Sequence, residues 1–147
     1  AIGAVLSMME LQLKQEAVDI IRTASETPVW VLGDRVRIEQ VLVNLLRNAI
    51  DATQGVVDPE IEIRLVGGEN ASLTVRDNGY GVDDLDALFE PFYTTKQPGE
   101  GVGLGLAISS GIVTDLGGRL LVRNVEDGGA LFEMQLPILT DHIAAAE

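Results

Sequence analysis

Between positions 35 and 54 the apolar residues Ile38, Val41, Leu42, Leu45, Leu46 and Ala49 return every three or four places. That is the period of an α-helix with one buried face. A helix of this length must lay its stripe on a second layer, and the rest of the chain supplies one. Residues 60–66 and 72–77 alternate by twos around Gly67, Gly68, Glu69 and Asn70, as in a β-hairpin. Residues 119–125 and 130–136 do the same around Asp127, Gly128 and Gly129. Aromatic residues make up only 4% of the chain, so the core is filled by Val, Ile, Leu and Ala, which suits a layered α/β domain.

The other segments fit round this frame. Residues 2–13 read as an amphipathic helix, with Gly3 as its weak point. Strands at 17–23 and 29–32 flank a polar turn, and Gly33 and Asp34 end the second, offering Asp34 as the N-cap of the long helix. Gly55 and Pro59 close that helix. Residues 78–81 are loop, 85–89 a short helix, and 91–103, rich in Gly, Thr and Pro, a mobile loop. A helix at 104–116 is closed by Gly117 and Gly118. With 147 residues, of which 46% are hydrophobic, one core is expected over 1–139, with 140–147 a disordered tail.

A net charge of −13 would repel a nucleic-acid backbone, so nucleic acid is not expected as a partner. A nucleoside triphosphate is compatible, because backbone N–H groups, a helix N-terminus and a bridging cation hold phosphates without many basic side chains. No Cys and a single His exclude disulfides, thiolate metal sites and imidazole clusters. No run nears the ~18 apolar residues of a membrane span, and no signal peptide is visible. The expected setting is cytoplasmic, without direct membrane contact, and the lack of an initiating Met reads as an excised fragment.

Three constellations stand out. On the long helix Asn44, Asn48 and Asp51 follow at steps of four and three, bordered by Arg47. They form one polar stripe, either a solvated face or a site; two asparagines, poor helix formers, favour the site. In the strand ending at Asp77, alternation puts Leu73, Val75 and Asp77 on one apolar face. A carboxylate there needs a donor, which is either a ligand amine such as that of adenine or the backbone of the Asn78-Gly79 turn. Gly79 and Gly81 flank Tyr80 just after it, allowing positive φ and close approach to a flat ligand. Glycines at 99, 101, 103 and 105 lead into a helix whose free N–H groups favour anions. The dinucleotide pattern G-x-G-x-x-G fails at Leu106 and Ile108, and no P-loop Gly-Lys-Ser/Thr exists.

In order, Asn44-Leu45-Leu46-Arg47-Asn48-Ala49, Asp77-Asn78-Gly79-Tyr80-Gly81, Phe89-Glu90-Pro91-Phe92-Tyr93-Thr94-Thr95-Lys96 and Gly101-Val102-Gly103-Leu104-Gly105-Leu106 resemble the N, G1, F and G2 boxes of sensor histidine kinases. The phrasing of the last two looks like the dicarboxylate-sensing and nitrogen-regulatory branch. The resemblance implies a Bergerat ATP-binding fold: an α/β (α+β) two-layer sandwich, one mixed, mostly antiparallel sheet of about five strands backed by about three helices, with a flexible lid over the nucleotide. It implies that Asn48 coordinates Mg²⁺ bridging the phosphates, that Asn44 and Arg47 lie beside them, and that Asp77 accepts the adenine amine. Gly79 and Gly81 would shape the adenine pocket with Val82, and Lys96 would approach the phosphates from the lid. Gly101, Gly103 and Gly105 would admit those phosphates to the helix N-terminus. Asp51, Phe89, Thr94 and Thr95 would also line the nucleotide, as would Val102, Leu104 and Leu106.

The implied activity is transfer of the ATP γ-phosphoryl to a His on a separate dimerisation and phosphoacceptor domain, with a response-regulator receiver domain as the next partner. Two departures matter. Ala130 follows Gly129 where many members have Thr, and the only His, His142, lies in the tail, away from any acceptor position. Gyrase-type or chaperone-type ATPases resemble this fold but carry Glu at the position of Asn44, and Asn cannot act as that base. A nucleotide-sensing interaction module without transfer is the non-enzymatic alternative.

Overall fold

A computed structural model describes residues 2–23, 34–82, 105–126 and 128–138. The chain runs through α1 (Ile2–Met8), α2 (Glu10–Gln15), β1 (Asp19–Thr23), α3 (Arg35–Ala52), β2 (Glu60–Val66), β3 (Asn70–Asp77), α4 (Gly105–Asp115), β4 (Arg119–Asn124) and β5 (Ala130–Pro137). The strands form one sheet in the order β1-β2-β3-β5-β4, with β1 parallel to β2 and every other pair antiparallel. The mixed, mostly antiparallel five-stranded sandwich expected from the sequence is therefore the fold.

Alternation decides which sheet face is dry. Ile61 and Ile63 of β2, Leu73 and Val75 of β3 and Phe132 and Met134 of β5 are buried against Val41, Leu42, Leu45, Leu46, Ala49 and Ile50 of α3. Burying a Leu or Ile this fully contributes about 2 kcal/mol, so α3 is the main ballast of the domain. Asp34 caps it as expected, its Oδ1 accepting from the N–H of Val36 at 2.9 Å and of Arg37 at 3.4 Å.

Several boundaries differ from the sequence expectation. The helix expected at 2–13 breaks at Met9 (φ −101°, ψ 5°) into α1 and α2, giving four described helices where about three were expected. The break is a bend: Met9 N–H still donates to Val5 O and Leu13 N–H to Met9 O, at 3.1 and 3.0 Å. Ile2, Val5, Met9 and Leu13, which steps of three and four already place on one helical face, all stay buried across it. Strand β1 begins at Asp19 because Ala17 and Val18 close α2, donating to Lys14 O and Leu13 O at 3.1 and 3.0 Å. This paired closure puts Ala17 in the left-handed region, φ +54°. Gly117 (φ +83°) and Gly118 close α4 with the same pair of bonds, to Thr114 O and Val113 O. Helix α3 ends at Ala52, two residues short of Gln54, and β3 starts at Asn70, two residues early, leaving only 67–69 for the turn. Among the described residues no helix is long and apolar enough to cross a membrane. The strand at 29–32, the short helix at 85–89, the loop at 91–103 and the tail at 140–147 lie outside the described residues.

Candidate nucleotide site

Helix α3 carries the polar stripe at the edge of its buried face: Asn44, Asn48 and Asp51 are half-buried and Arg47 is exposed. At 1.5 Å per residue the stripe from Asn44 to the helix end at Ala52 spans about 12 Å. Each end meets a different element. At Asn44 the side-chain Nδ2 donates to Ser109 Oγ at 3.0 Å and to Gly105 O at 3.3 Å, joining α3 to the first turns of α4. A Cβ on Gly105 would stand 3.8 Å from the Asn44 amide carbon, so the unpaired N–H groups opening α4 begin beside this asparagine.

At the other end the loop after β3 presses on α3. A Cβ on Gly79 would fall 2.1 Å from the Ala52 carbonyl oxygen, so only glycine fits there. Asp77, the last residue of β3, is 2% exposed. Its Oδ1 accepts from Gly79 N–H at 2.9 Å and from Ala130 N–H at 3.3 Å. The turn-capping reading of this carboxylate is thus realised on one oxygen, and Oδ2 accepts nothing from the described residues. Burial pushes the Asp77 carboxyl above the usual carboxylate range, and the two backbone N–H bonds pull part of the way back. Gly129 (φ +96°) lies against the same residue; a Cβ there would be 2.0 Å from Asp77 O.

Three further residues hold the two ends of the stripe and were given no site role from the sequence. Asn78 joins the loop to the start of β2, accepting from Glu60 N–H at 2.9 Å and donating to Asp58 O at 3.0 Å. Asn124, at the end of β4, accepts from Val82 N–H at 2.7 Å and donates to Val82 O at 3.0 Å. Ser109 is fully buried under Asn44. Asparagine at a strand end was the available signal for Asn124, since Asn is depleted in strands and needs compensating bonds. Ser109 gave none, being one of two adjacent serines in a largely apolar helix.

Asn44, Arg47, Asn48 and Asp51 therefore share one helix, with Gly105 and Leu106 at one end and Asp77, Gly79, Gly81 and Val82 grouped near the other. Phe89, Thr94, Thr95, Lys96, Gly101, Val102, Gly103 and Leu104 lie outside the described residues. No group of three or more acidic, His or Cys residues able to hold a metal occurs among the described residues. A groove of about 360 Å³ between α2 and β1, lined by Leu6, Leu13, Val18 and Ile20, holds none of the residues above. Chemistry outweighs volume here, because apolar walls with rim charges Glu10, Lys14 and Asp19 offer no buried polar group to orient a ligand.

A mixed sheet under a long helix, with asparagines along that helix and a sunken carboxylate at a strand end, defines a class of nucleotide-binding domain. The chain matches, over residues 33–140, the family described as histidine kinase-, DNA gyrase B-, and HSP90-like ATPase, and it belongs to that family. The relatives narrow the class to sensor kinases. The C4-dicarboxylate transport sensor protein DctB of Pseudomonas aeruginosa is 38% identical over 141 residues, covering 92% of this chain and 23% of that protein. Sensor histidine kinase ZraS of Salmonella typhimurium is 36% identical over 138 residues, covering 91% and 29%. The catalytic domain of histidine kinase ThkA superposes with a TM-score of 0.80 at 31% identity, covering 92% of this chain and 90% of that one. Full-length ShkA in complex with AMPPNP gives 0.79 at 29% identity, over 97% of this chain and 30% of that one. The chain thus spans about a quarter of the length of the curated relatives it matches.

Proposed function

We propose that this chain is the ATP-binding catalytic domain of a sensor histidine kinase, which holds Mg·ATP along α3 and presents its γ-phosphoryl to a His on a separate phosphoacceptor domain. The observation that carries the reading is the buried Asp77 carboxylate, one oxygen tied to backbone and the other unclaimed by the described residues, beside the end of the asparagine-bearing helix. The other oxygen suits the exocyclic amine of adenine, a donor that a carboxylate can accept from. Gly79 and Gly81 keep the loop close enough to admit a flat base, with Val82 on its border. Asn44 and Arg47 would lie beside the phosphates, with Asp51 further along the stripe, and Gly105 and Leu106 would offer the opening N–H groups of α4.

Asn48 fits a magnesium site of the usual kind: one hard oxygen ligand from protein, the rest from phosphate and water, with no carboxylate cage. Bound there, the cation would neutralise charge on the phosphates. Phe89, Thr94, Thr95, Lys96, Gly101, Val102, Gly103 and Leu104 complete the proposed lining by resemblance. In the transfer the acceptor imidazole nitrogen forms the new P–N bond as the β–γ bridging P–O bond breaks, and ADP leaves. Catalysis then rests on positioning and charge neutralisation. A response-regulator receiver domain would take the phosphoryl next. We assign residues 1–139 to this unit, with 140–147 as a tail, working on the cytoplasmic side without nucleic acid as partner.

Hydrolysis is the weaker reading, because Asn44 spends its amide hydrogens on Ser109 and Gly105 and an amide is no general base. The test is calorimetric titration with ATP, with and without Mg²⁺, followed by addition of a phosphoacceptor domain and γ-labelled ATP. Binding that strengthens with Mg²⁺, label on the acceptor His and almost none on the chain alone are expected. Rapid ATP turnover by the chain alone would favour the ATPase, and binding without any phosphohistidine would favour a nucleotide-sensing module.

A further inference from the structure

Asp77 is held at the correct depth by something outside its own strand, and the contacts around Val82 show what. The loop 78–82 has both ends referenced to the β4–β5 hairpin: Ala130 N–H bonds Asp77 Oδ1 at one end, and Asn124 bonds Val82 at the other. Asn124 satisfies both backbone groups of Val82 with one side chain, as a neighbouring strand would, and so adds one rung to the sheet edge. Gly81 (φ +81°) makes this possible, since a Cβ there would stand 2.8 Å from Asn124 Oδ1 and 3.5 Å from Gly129 O. An exposed Asn at a strand end contributes little by packing; its two well-formed hydrogen bonds, at 2.7 and 3.0 Å, are what it contributes here.

We propose that Asn124 is a positioning residue for adenine recognition: by clamping Val82 it fixes loop 78–82 over the corner where the Asp77 carboxylate meets the base. This rests on the nucleotide reading of Asp77. Asn124 touches no substrate, and acts only through the loop.

The experiment is a double-mutant cycle on the whole chain, combining Asn124→Ala with Asp77→Asn, read as ATP and ADP affinity by calorimetry alongside the unfolding midpoint. Asn124→Ala alone should weaken ATP and ADP by the same factor, roughly tenfold, the scale of a lost hydrogen-bonded contact, with the midpoint nearly kept. In the Asp77→Asn background the same change should cost less than about twofold, because the group it positions is already gone. Asn124→Asp, which keeps an acceptor for Val82 N–H but sets a carboxylate against Val82 O, should weaken binding as much as Ala.

Equal losses in both backgrounds, or unchanged affinity with a folded protein, would overturn the proposal and leave Asn124 a tie at the sheet edge. If Asp77→Asn weakens ATP and Asn124→Ala does not, the nucleotide reading stands and only this inference fails. If the unmodified chain binds neither nucleotide, both fail.

Discussion

Two corners of the molecule are built on opposite principles. Where β3 ends against α3, glycines press on backbone carbonyls and three side chains, the Asp77 carboxylate and the Asn78 and Asn124 amides, hold the loop by named hydrogen bonds. At the other end of the sheet, α1, α2 and β1 rely mainly on apolar burial and on the backbone pairing of β1 with β2, with Met8, Leu11 and Ile21 exposed, one exposed side-chain bond from Gln54 to Glu16 at 2.9 Å and one solvent-facing ion pair, Lys14 to Glu10 at 3.1 Å. Such a pair is worth a few tenths of a kcal/mol. Close backbone contact defines position to a fraction of an ångström, while apolar burial defines only which side is down. The first corner is where a ligand must be read; the second need only hold the layer together.

The contrast can be broken first at Gly79. Gly79→Ala drives a methyl into the Ala52 carbonyl and should destabilise the fold by about 3 kcal/mol, the upper range of overpacking, while abolishing nucleotide binding. Chemical denaturation and calorimetry check both, and a variant of unchanged stability would show the corner to be loose. Asp77→Asn separates recognition from stability in the same corner. It keeps an oxygen for Gly79 and Ala130 but offers N–H₂ where adenine offers N–H₂, so ATP affinity should fall about tenfold or more with the fold intact.

The pH dependence of that variant follows from burial. Because the folded state raises the Asp77 pKa, wild type is relatively most stable below the ordinary carboxylate pKa and loses that contribution as pH rises through the raised value. The variant, which has no charge to bury, should therefore gain on wild type between acid and neutral pH in paired denaturation curves. A flat difference would mean the carboxylate is as well solvated as in the unfolded chain, and one that moves the other way that the two backbone N–H bonds outweigh burial. The smallest effect belongs to the apolar corner: Ala17→Gly relieves a left-handed alanine in the α2 closure and should stabilise by about 0.5 kcal/mol without touching ATP affinity. Any loss of binding from it would mean the two corners are coupled.

Periodicity made α3, both hairpins and the glycine closure of α4 legible in the sequence, because helix and strand periods decide which face is buried. It could not show the bend at Met9, since the apolar spacing runs on through it and only φ and ψ change. The polar stripe was legible as a stripe, but the period says which side faces out and not what it meets, so Asn44 as a tie to Ser109 was hidden by a separation of 65 residues. Asn124 and Val82 are 42 apart and were hidden likewise. At Asp77 the turn reading is realised on one oxygen, which accepts from Gly79 and Ala130, and those bonds leave the proposed contact with adenine to the other oxygen.

Asparagine amides grip the chain on both sides of residues 83–104, Asn124 at Val82 and Asn44 at Gly105. Both anchorage points belong to the framework: Val82 is tied to the end of β4 and Gly105 to α3. Position on the two sides is thus referenced to different bodies, the rim of the sheet at one mooring and the long helix at the other.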